Sequence, residues 1–347
     1  RVGSAELGGR LAARLTALSD GNPRFLFEIL NGLEQQGVLV RDPGGGAWLL
    51  RGTLRHVQAP PRLRDLVQAR LVGLQAEDRE VLDAASILGY EFEPGLLAEV
   101  LEHAPLGVLQ RLGRLERSHH LVRSRGRLCA FDHHVLQELL YAELPPTLRR
   151  AYHAAAGEAL RRRIDDVAES GAAAVDVCRH LLEAERSAEA MDWLEPALDH
   201  LLENHMHARA VELIDRVLSE PELLDGSARA RLLLRKAERL QLLGRAADEA
   251  RALQDALCMV SPKHDPLLSA TAFTRLGDHL RLTGHPERAR EFLDRAVILA
   301  RRSGSRRAIA DATCRLGVVL DALGRHDDAR IVLQGCVRSA SQALSLI

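Results

Sequence analysis

The sequence predicts a mostly α-helical protein whose C-terminal half is a solenoid of stacked helical hairpins. Ala237, Gly277 and Gly317 stand forty residues apart, as do Leu240, Leu280 and Leu320, and Gly244, Gly284 and Gly324. Ala197, His200 and Asn204 hold the matching places one period earlier. A period in this range marks hairpins that cannot bury their apolar faces alone and therefore stack on one another. Aromatic residues make up only 3% of the chain, so packing must rest on Leu, Ala and Val, which suits close-packed helices.

The N-terminal part reads as two smaller pieces. In residues 1–58, apolar residues recur at helical spacing over 4–18, and Ser19-Asp20-Gly21-Asn22-Pro23 breaks the pattern with strong turn chemistry. A second helix, 24–36, ends at Gly37, and Pro23 fits its first turn, where a missing N–H costs nothing. Val38–Val40 and Ala47–Leu50 flank Arg41-Asp42-Pro43-Gly44-Gly45-Gly46, which predicts a β-hairpin with a loose tip. Pro60-Pro61 marks the next boundary.

Residues 59–153 carry helical patterns at 62–73, 76–88, 94–101, 106–117 and 132–143. Two extended runs, 120–123 and 127–131, surround Ser124-Arg125-Gly126. Helices followed by a small hairpin are the outline of a winged-helix domain. Pro145-Pro146 closes it, and a helix at 147–163 leads into the solenoid, 154–347. Within each repeat, one helix carries a small residue (Ala237, Gly277, Gly317) where its partner must come close. The glycine seven positions later supplies a left-handed turn. The partner helices carry Ala250, Leu253 and Leu257, then Ala289, Leu293 and Val297, then Ala329, Val332 and Leu333.

Net charge is −1, so no global field draws nucleic acid or an anionic membrane. The five cysteines are scattered without a CxxC, which points to reduced thiols and a cytoplasmic setting. No apolar run is long enough to cross a bilayer, and no signal peptide is present, so a membrane partner is not expected. Both ends, Arg1 and Ile347, fall inside helical patterns and read as cuts in a longer protein.

Several motifs keep a fixed order. Gly21-Asn22-Pro23, a helix with Glu28 and Leu30, Gly37-Val38-Leu39 and a Trp48 strand come first. Pro60-Pro61-x-Leu-Arg-Asp-Leu-Val, then Asp78–Ala85, Leu115-Glu116-Arg117, Phe131-Asp132-His133 and Leu144-Pro145-Pro146-x-x-Arg-Arg-x-x-His153 follow. This series resembles the signal-transduction ATPases with numerous domains. These include LuxR-type large activators and ATPase-coupled Ser/Thr kinases and adenylate cyclases. The repeat pattern itself resembles tetratricopeptide repeats, whose usual period is about 34 residues. The resemblance implies the end of a nucleotide-binding ATPase module, then a winged helix, then tetratricopeptide-like repeats as a sensor. It also implies that Gly21, Asn22 and Pro23 lie against the adenine of ATP. Asp132 stands where the family usually has Arg, so no role of that Arg carries over.

The chain has no Gly-Lys pair, and its first lysine is Lys236, so it has no P-loop to neutralise phosphates and hold Mg²⁺. The chain alone is therefore expected to be no enzyme and to bind no nucleotide tightly. ATP or ADP with Mg would belong to the parent protein, itself expected to be an ATPase. The expected partners are the upstream nucleotide-binding domain and a protein or small-molecule ligand on the repeat surface. Two other readings stand beside this one. A freestanding repeat adaptor would leave residues 1–150 merely structural. A winged-helix DNA-binding regulator would read DNA through Gln110, Arg111, Arg114 and Arg117, although nucleic acid is not expected on this segment. His119, His120, Cys129, His133 and His134 are candidate metal ligands by type, but are expected to be ordinary hydrogen-bonded or surface groups.

Overall fold

The computed structural model describes residues 30, 34, 39–41, 48–50, 68, 70–164, 171–220 and 222–334. The chain divides into two compact units, Arg1–Asp166 with Glu183–Arg186, and Val167–Leu182 with Ser187–Ile347. Mostly helical, it is a solenoid of helical hairpins with small sheets towards its N-terminus.

In the first unit, β1 (Leu39–Arg41) pairs antiparallel with β2 (Trp48–Leu50), the hairpin expected there. The remaining order is α1 (Ala76–Leu88), β3 (Glu91–Phe92), α2 (Pro94–Val100), α3 (Pro105–Arg114), β4 (Val122–Arg125), β5 (Leu128–Phe131), α4 (His134–Glu143) and α5 (Pro146–Arg162). The sheet order is β3-β5-β4. Leu82, Leu97, Leu115, Leu121, Phe131 and Leu140 are fully buried and form the centre of one core.

The structure shifts three boundaries, each for a local reason. Helix α3 runs on into a π-helical turn, Leu115–His119, which ends at His120 with φ 52°. That left-handed residue delays the first strand of the hairpin from 120 to Val122. The next helix starts at His134 rather than 132 because His133 is its N-cap, Nδ1 accepting from the Val135 N–H at 3.0 Å. Strand β3 is an addition to the expected elements: two residues are too few for an alternating pattern. The β4–β5 hairpin turns through Gly126, at φ 64°, and Arg127.

The Pro145-Pro146-x-x-Arg-Arg-x-x-His153 motif acquires a physical purpose here. Arg149 donates to the carbonyls of Leu144 and Ala142 at the end of α4, at 3.2 and 3.5 Å. His153, fully buried, meets the Tyr141 hydroxyl at 3.1 Å. The motif staples α5 back onto α4. The charge reversal at Asp132 is likewise answered locally, by Arg123 (2.7 Å) and Arg70 (3.2 Å).

In the second unit, α6 (Ala172–Glu183) precedes the hairpins α7 (Ser187–Glu203)/α8 (His207–Leu218), α9 (Gly226–Leu242)/α10 (Ala246–Met259) and α11 (Pro266–Leu282)/α12 (Pro286–Ser303). Then come α13 (Arg306–Ala322) and helical residues 326–334. The starts of α9, α11 and α13 are forty apart, as the glycines require. Gly244, Gly284 and Gly324 all have positive φ, 67°, 84° and 75°. One period earlier the register differs by one. The left-handed residue is His205, at φ 56°, not Asn204, and α7 starts thirty-nine before α9. The true equivalents of Leu240 and Gly244 there are Leu201 and His205.

Within the hairpins, Gly277 faces Leu293 of α12, and Gly317 faces Leu333. Ala237 holds this place in α9 and is 2% exposed. The alanine position of the outer helices also needs correction. Forty before Ala289 stands Glu249, not Ala250, and it is buried at 7% exposure.

Burial separates the cysteines. Cys129 and Cys178 are buried, whereas Cys258 and Cys314 are exposed. Burial pushes the Cys178 thiol up to about 12, which leaves almost no thiolate at neutral pH. Iodoacetamide should modify Cys258 and Cys314 in the native protein and reach Cys129 and Cys178 only after denaturation. Peptide mass mapping before and after unfolding reads this directly; native labelling of Cys178 would contradict the packing of α6.

Candidate functional site

The helices α9, α11 and α13 pack side by side: α11 touches both its neighbours. The outer helices α10 and α12 share no comparable contact. The first set therefore forms the inner layer of a curved array, and its free side is a continuous surface. On an α-helix, positions i, i+4, i+7 and i+11 share one stripe. On α9 the free stripe is Arg231, Arg235, Glu238 and Leu242; on α11 it is Thr271, Arg275, Asp278 and Leu282; on α13 it is Asp311, Arg315, Val318 and Ala322. The structural equivalents on α7, thirty-nine back, are Asp192, Pro196, Asp199 and Glu203. The result is a grid of four rows on four helices.

Its middle rows form a ladder of charge. Arg235 reaches back to Glu195 of α7 at 2.5 Å and lies 3.7 Å from Asp199. Arg275 reaches Glu238 at 2.5 Å, and Arg315 pairs with Asp278. Asp278 also accepts from Arg281 at 2.7 Å, and its side chain is 10% exposed. The ladder has a signal in the sequence, since Arg235, Arg275 and Arg315 are forty apart, like the glycines and leucines that mark the repeat. The last row is apolar on three of its helices, with Leu242, Leu282 and Ala322: Leu242 and Leu282 are 62% and 55% exposed at equivalent places on adjacent helices, and Val318, one row in on α13, is 49% exposed. Apolar side chains held open on a rigid, repeating scaffold, next to fixed charges, are the ingredients of a docking surface.

The sequence-predicted nucleotide residues, Gly21, Asn22 and Pro23, lie outside the described residues. Three of the metal candidates are engaged separately, and His119 and His120 end the π-helical turn. Cys129 sits in β5, His133 caps α4, and the His134 ring stacks on Tyr90 at 3.6 Å. Among the described residues no three His, Cys, Asp or Glu side chains converge. Arg111 and Arg114 of α3 turn towards Asp78, which is 2% exposed, at 3.8 and 3.2 Å. The outward face of α3 instead shows Leu106 and Leu109, 66% and 51% exposed. A cleft of about 610 Å³ beside the β4–β5 hairpin is lined by Glu93, Leu109, Ser124 and Cys129 among others. Two of its polar residues are already bound: Glu93 to Arg163 at 2.7 Å, and Ser124 to Glu116 through both its N–H (2.8 Å) and hydroxyl (2.7 Å). Those two hydrogen bonds hold the Glu116 carboxyl below the usual carboxylate range.

A tetratricopeptide repeat family model matches residues 268–341. A search of curated proteins finds no match. Among solved structures, the chain is similar to a Signal Transduction ATPase with Numerous Domains (STAND) protein with a tetratricopeptide repeat sensor from Pyrococcus horikoshii. The identity is 13% and the TM-score 0.39, over 95% of this chain and 50% of that one. It is also similar to aspartyl phosphate phosphatase F from Bacillus subtilis, at 15% identity and a TM-score of 0.44, over 81% and 69% of the two chains. A third is NprR in complex with its cognate peptide NprX, at 12% identity and a TM-score of 0.36, over 97% and 79%. The chain carries tetratricopeptide-like repeats, and no helix among its described residues is long and apolar enough to cross a membrane.

Proposed function

We propose that this chain is the regulatory segment of a multidomain signalling ATPase. Its inner repeat surface holds a protein segment or small ligand, and the first unit relays that state to a nucleotide site upstream. The observation that carries the binding part is the grid on α7, α9, α11 and α13: fixed charges in its middle rows and exposed leucines at one edge. Such a surface recognises by shape and charge. The order of elements from α1 to β5, with a three-stranded sheet ending in a tight wing, supports the winged-helix reading of the relay. Gly21, Asn22 and Pro23 would pack against the adenine, and ATP with Mg²⁺ would be held by parts upstream.

The relay needs two arrangements of packed domains whose balance both ligand and nucleotide bias. Two measurements on the polypeptide extended upstream test the reading. Pro23→Ala, or a bulky residue at Gly21, should weaken ATP binding in calorimetry; unchanged affinity would end the adenine role. Leu242→Asp with Leu282→Asp should abolish ligand-dependent change in ATP turnover while leaving the melting temperature within a few degrees, because both side chains are already exposed.

The DNA-binding alternative meets a specific difficulty in α3. Its two best phosphate-contacting candidates, Arg111 and Arg114, face Asp78. DNA contact would have to break pairs to a buried carboxylate. Titration of the chain with duplex DNA should show no binding with a steep salt slope.

A further inference from the structure

We propose that the array bends at one joint, between α10 and α11, and that the Glu249–His279 pair is the latch that keeps this joint closed. The inference stands on the packing of the repeats and holds whatever ligand they bind.

Three joints link successive hairpins: α8 to α9, α10 to α11, and α12 to α13. The last is dense. Its connection is two residues, Gly304 and Ser305, and Ala289 packs against Val319, both fully buried. At the α10–α11 joint the same two places hold Glu249 and His279. His279 Nδ1 lies 3.0 Å from a Glu249 carboxylate oxygen, and the two side chains are only 10% (Glu249) and 8% (His279) exposed. The connection there is six residues, 260–265, and contacts across the joint are sparser on both the inner and the outer layer. A cavity of about 10 Å³ lies beside the pair, lined by Ala237, Glu238, Gln241, Glu249, Arg275 and Asp278 among others. The α8–α9 joint also has a long connection, and fewer inner-layer contacts, but holds Ala210, fully buried, and Arg239, partly exposed, in the places of Glu249 and His279. The α10–α11 joint is thus set apart by its buried polar pair.

The physics of such a pair is asymmetric. Taking both groups from water costs about as much as their attraction returns, so an apolar pair of similar volume holds a joint at least as well. Losing one partner leaves a buried polar group alone, which favours opening. The charged groups facing the pair add a second, shallower tie: Glu238 of α9 to Arg275 of α11. When the joint opens, water reaches Glu249, Glu238, Asp278 and Arg275 together, and hydration offsets the broken contacts. Opening the α12–α13 joint would also free an inner-layer ion pair, Arg315 with Asp278, but its core contact would expose Ala289 and Val319, for which hydration offers nothing. The fold therefore places its cheapest bend where the core contact itself is polar.

Amide hydrogen exchange on the full chain, followed by mass spectrometry, tests this. Peptides covering residues 250–259 and 266–275 should exchange about tenfold faster than the matched peptides 290–299 and 306–315. His279→Val alone should speed exchange at 250–275 by roughly another tenfold, because it strands Glu249. Glu249→Leu with His279→Leu replaces the pair by apolar side chains of similar volume, and should slow residues 250–275 towards the rate of the α12–α13 peptides while leaving 210–218 unchanged. The double variant keeps the joint filled and so reads the latch even if the single variant fails to fold. Equal exchange at the two joints of the unmodified protein would overturn the proposal. So would a double variant whose α10–α11 peptides exchange as before.

Discussion

Gly277→Val is expected to lower unfolding stability by about 3 kcal/mol, read as a shifted urea midpoint at constant slope. A Cβ at this glycine would sit 2.7 Å from Leu293 Cγ and 3.3 Å from the backbone oxygen of Ala289. The leucine can turn aside only into a full core, and the backbone oxygen cannot move without shifting α12. The β-branch adds crowding against the preceding helical turn. Gly277→Ala should cost less, since the gain in helix propensity of about 1 kcal/mol offsets part of the clash. Leu293→Ala combined with Gly277→Val should recover roughly 1 kcal/mol relative to additivity, which identifies the contact as the cause. The same substitution at Gly244 would test a different property. That residue has nothing within contact distance of an added Cβ but sits at φ 67°, so strain alone acts.

Asp278→Ala is expected to destabilise by about 2 kcal/mol, and more than any other single change in the charge ladder. Its carboxylate is 10% exposed and serves both Arg281 and Arg315. Removing it strands Arg281, 29% exposed, and leaves Arg315, 27% exposed, with Asp311 alone. Asp311→Ala removes an i, i+4 partner of the same Arg315 whose carboxylate is 47% exposed, and should cost about 0.3 kcal/mol. A thermal melt of the two variants side by side separates a tie between hairpins from a solvated pair on one helix. Equal effects would mean that the ladder is surface decoration.

Much of the array is legible in the sequence because close approach leaves few choices. Gly277 and Gly317 must be small, and Gly284 and Gly324 must be left-handed, so the forty-residue spacing fixes hairpin length and register wherever glycines mark it. Where they do not, the pattern misleads by one residue. Asn204 is a natural turn residue, yet His205 holds the left-handed turn, at an energetic cost that only its neighbours can offset. The same slip puts Ala250 where Glu249 belongs, because a buried glutamate contradicts the expected alanine and nothing nearby in sequence reveals its partner thirty residues on. In the first unit, β3 is too short to show a period, and the α3 arginines look free in sequence because Asp78 lies in a different helix.

The sequence alone determined the helical class, the hairpin period, the strand-to-strand turn at Gly126 and the lack of a P-loop in this chain. These depend on local rules: which residues permit a left-handed turn, which spacing places apolar groups on one face, which motif cradles phosphate. The tertiary structure alone decided which charges are shared, which arginines face outwards, and where a carboxylate–imidazole pair replaces alanine and valine between hairpins. Those outcomes depend on groups brought together from distant parts of the chain, and the free energy of a buried charge is set by its partners in space.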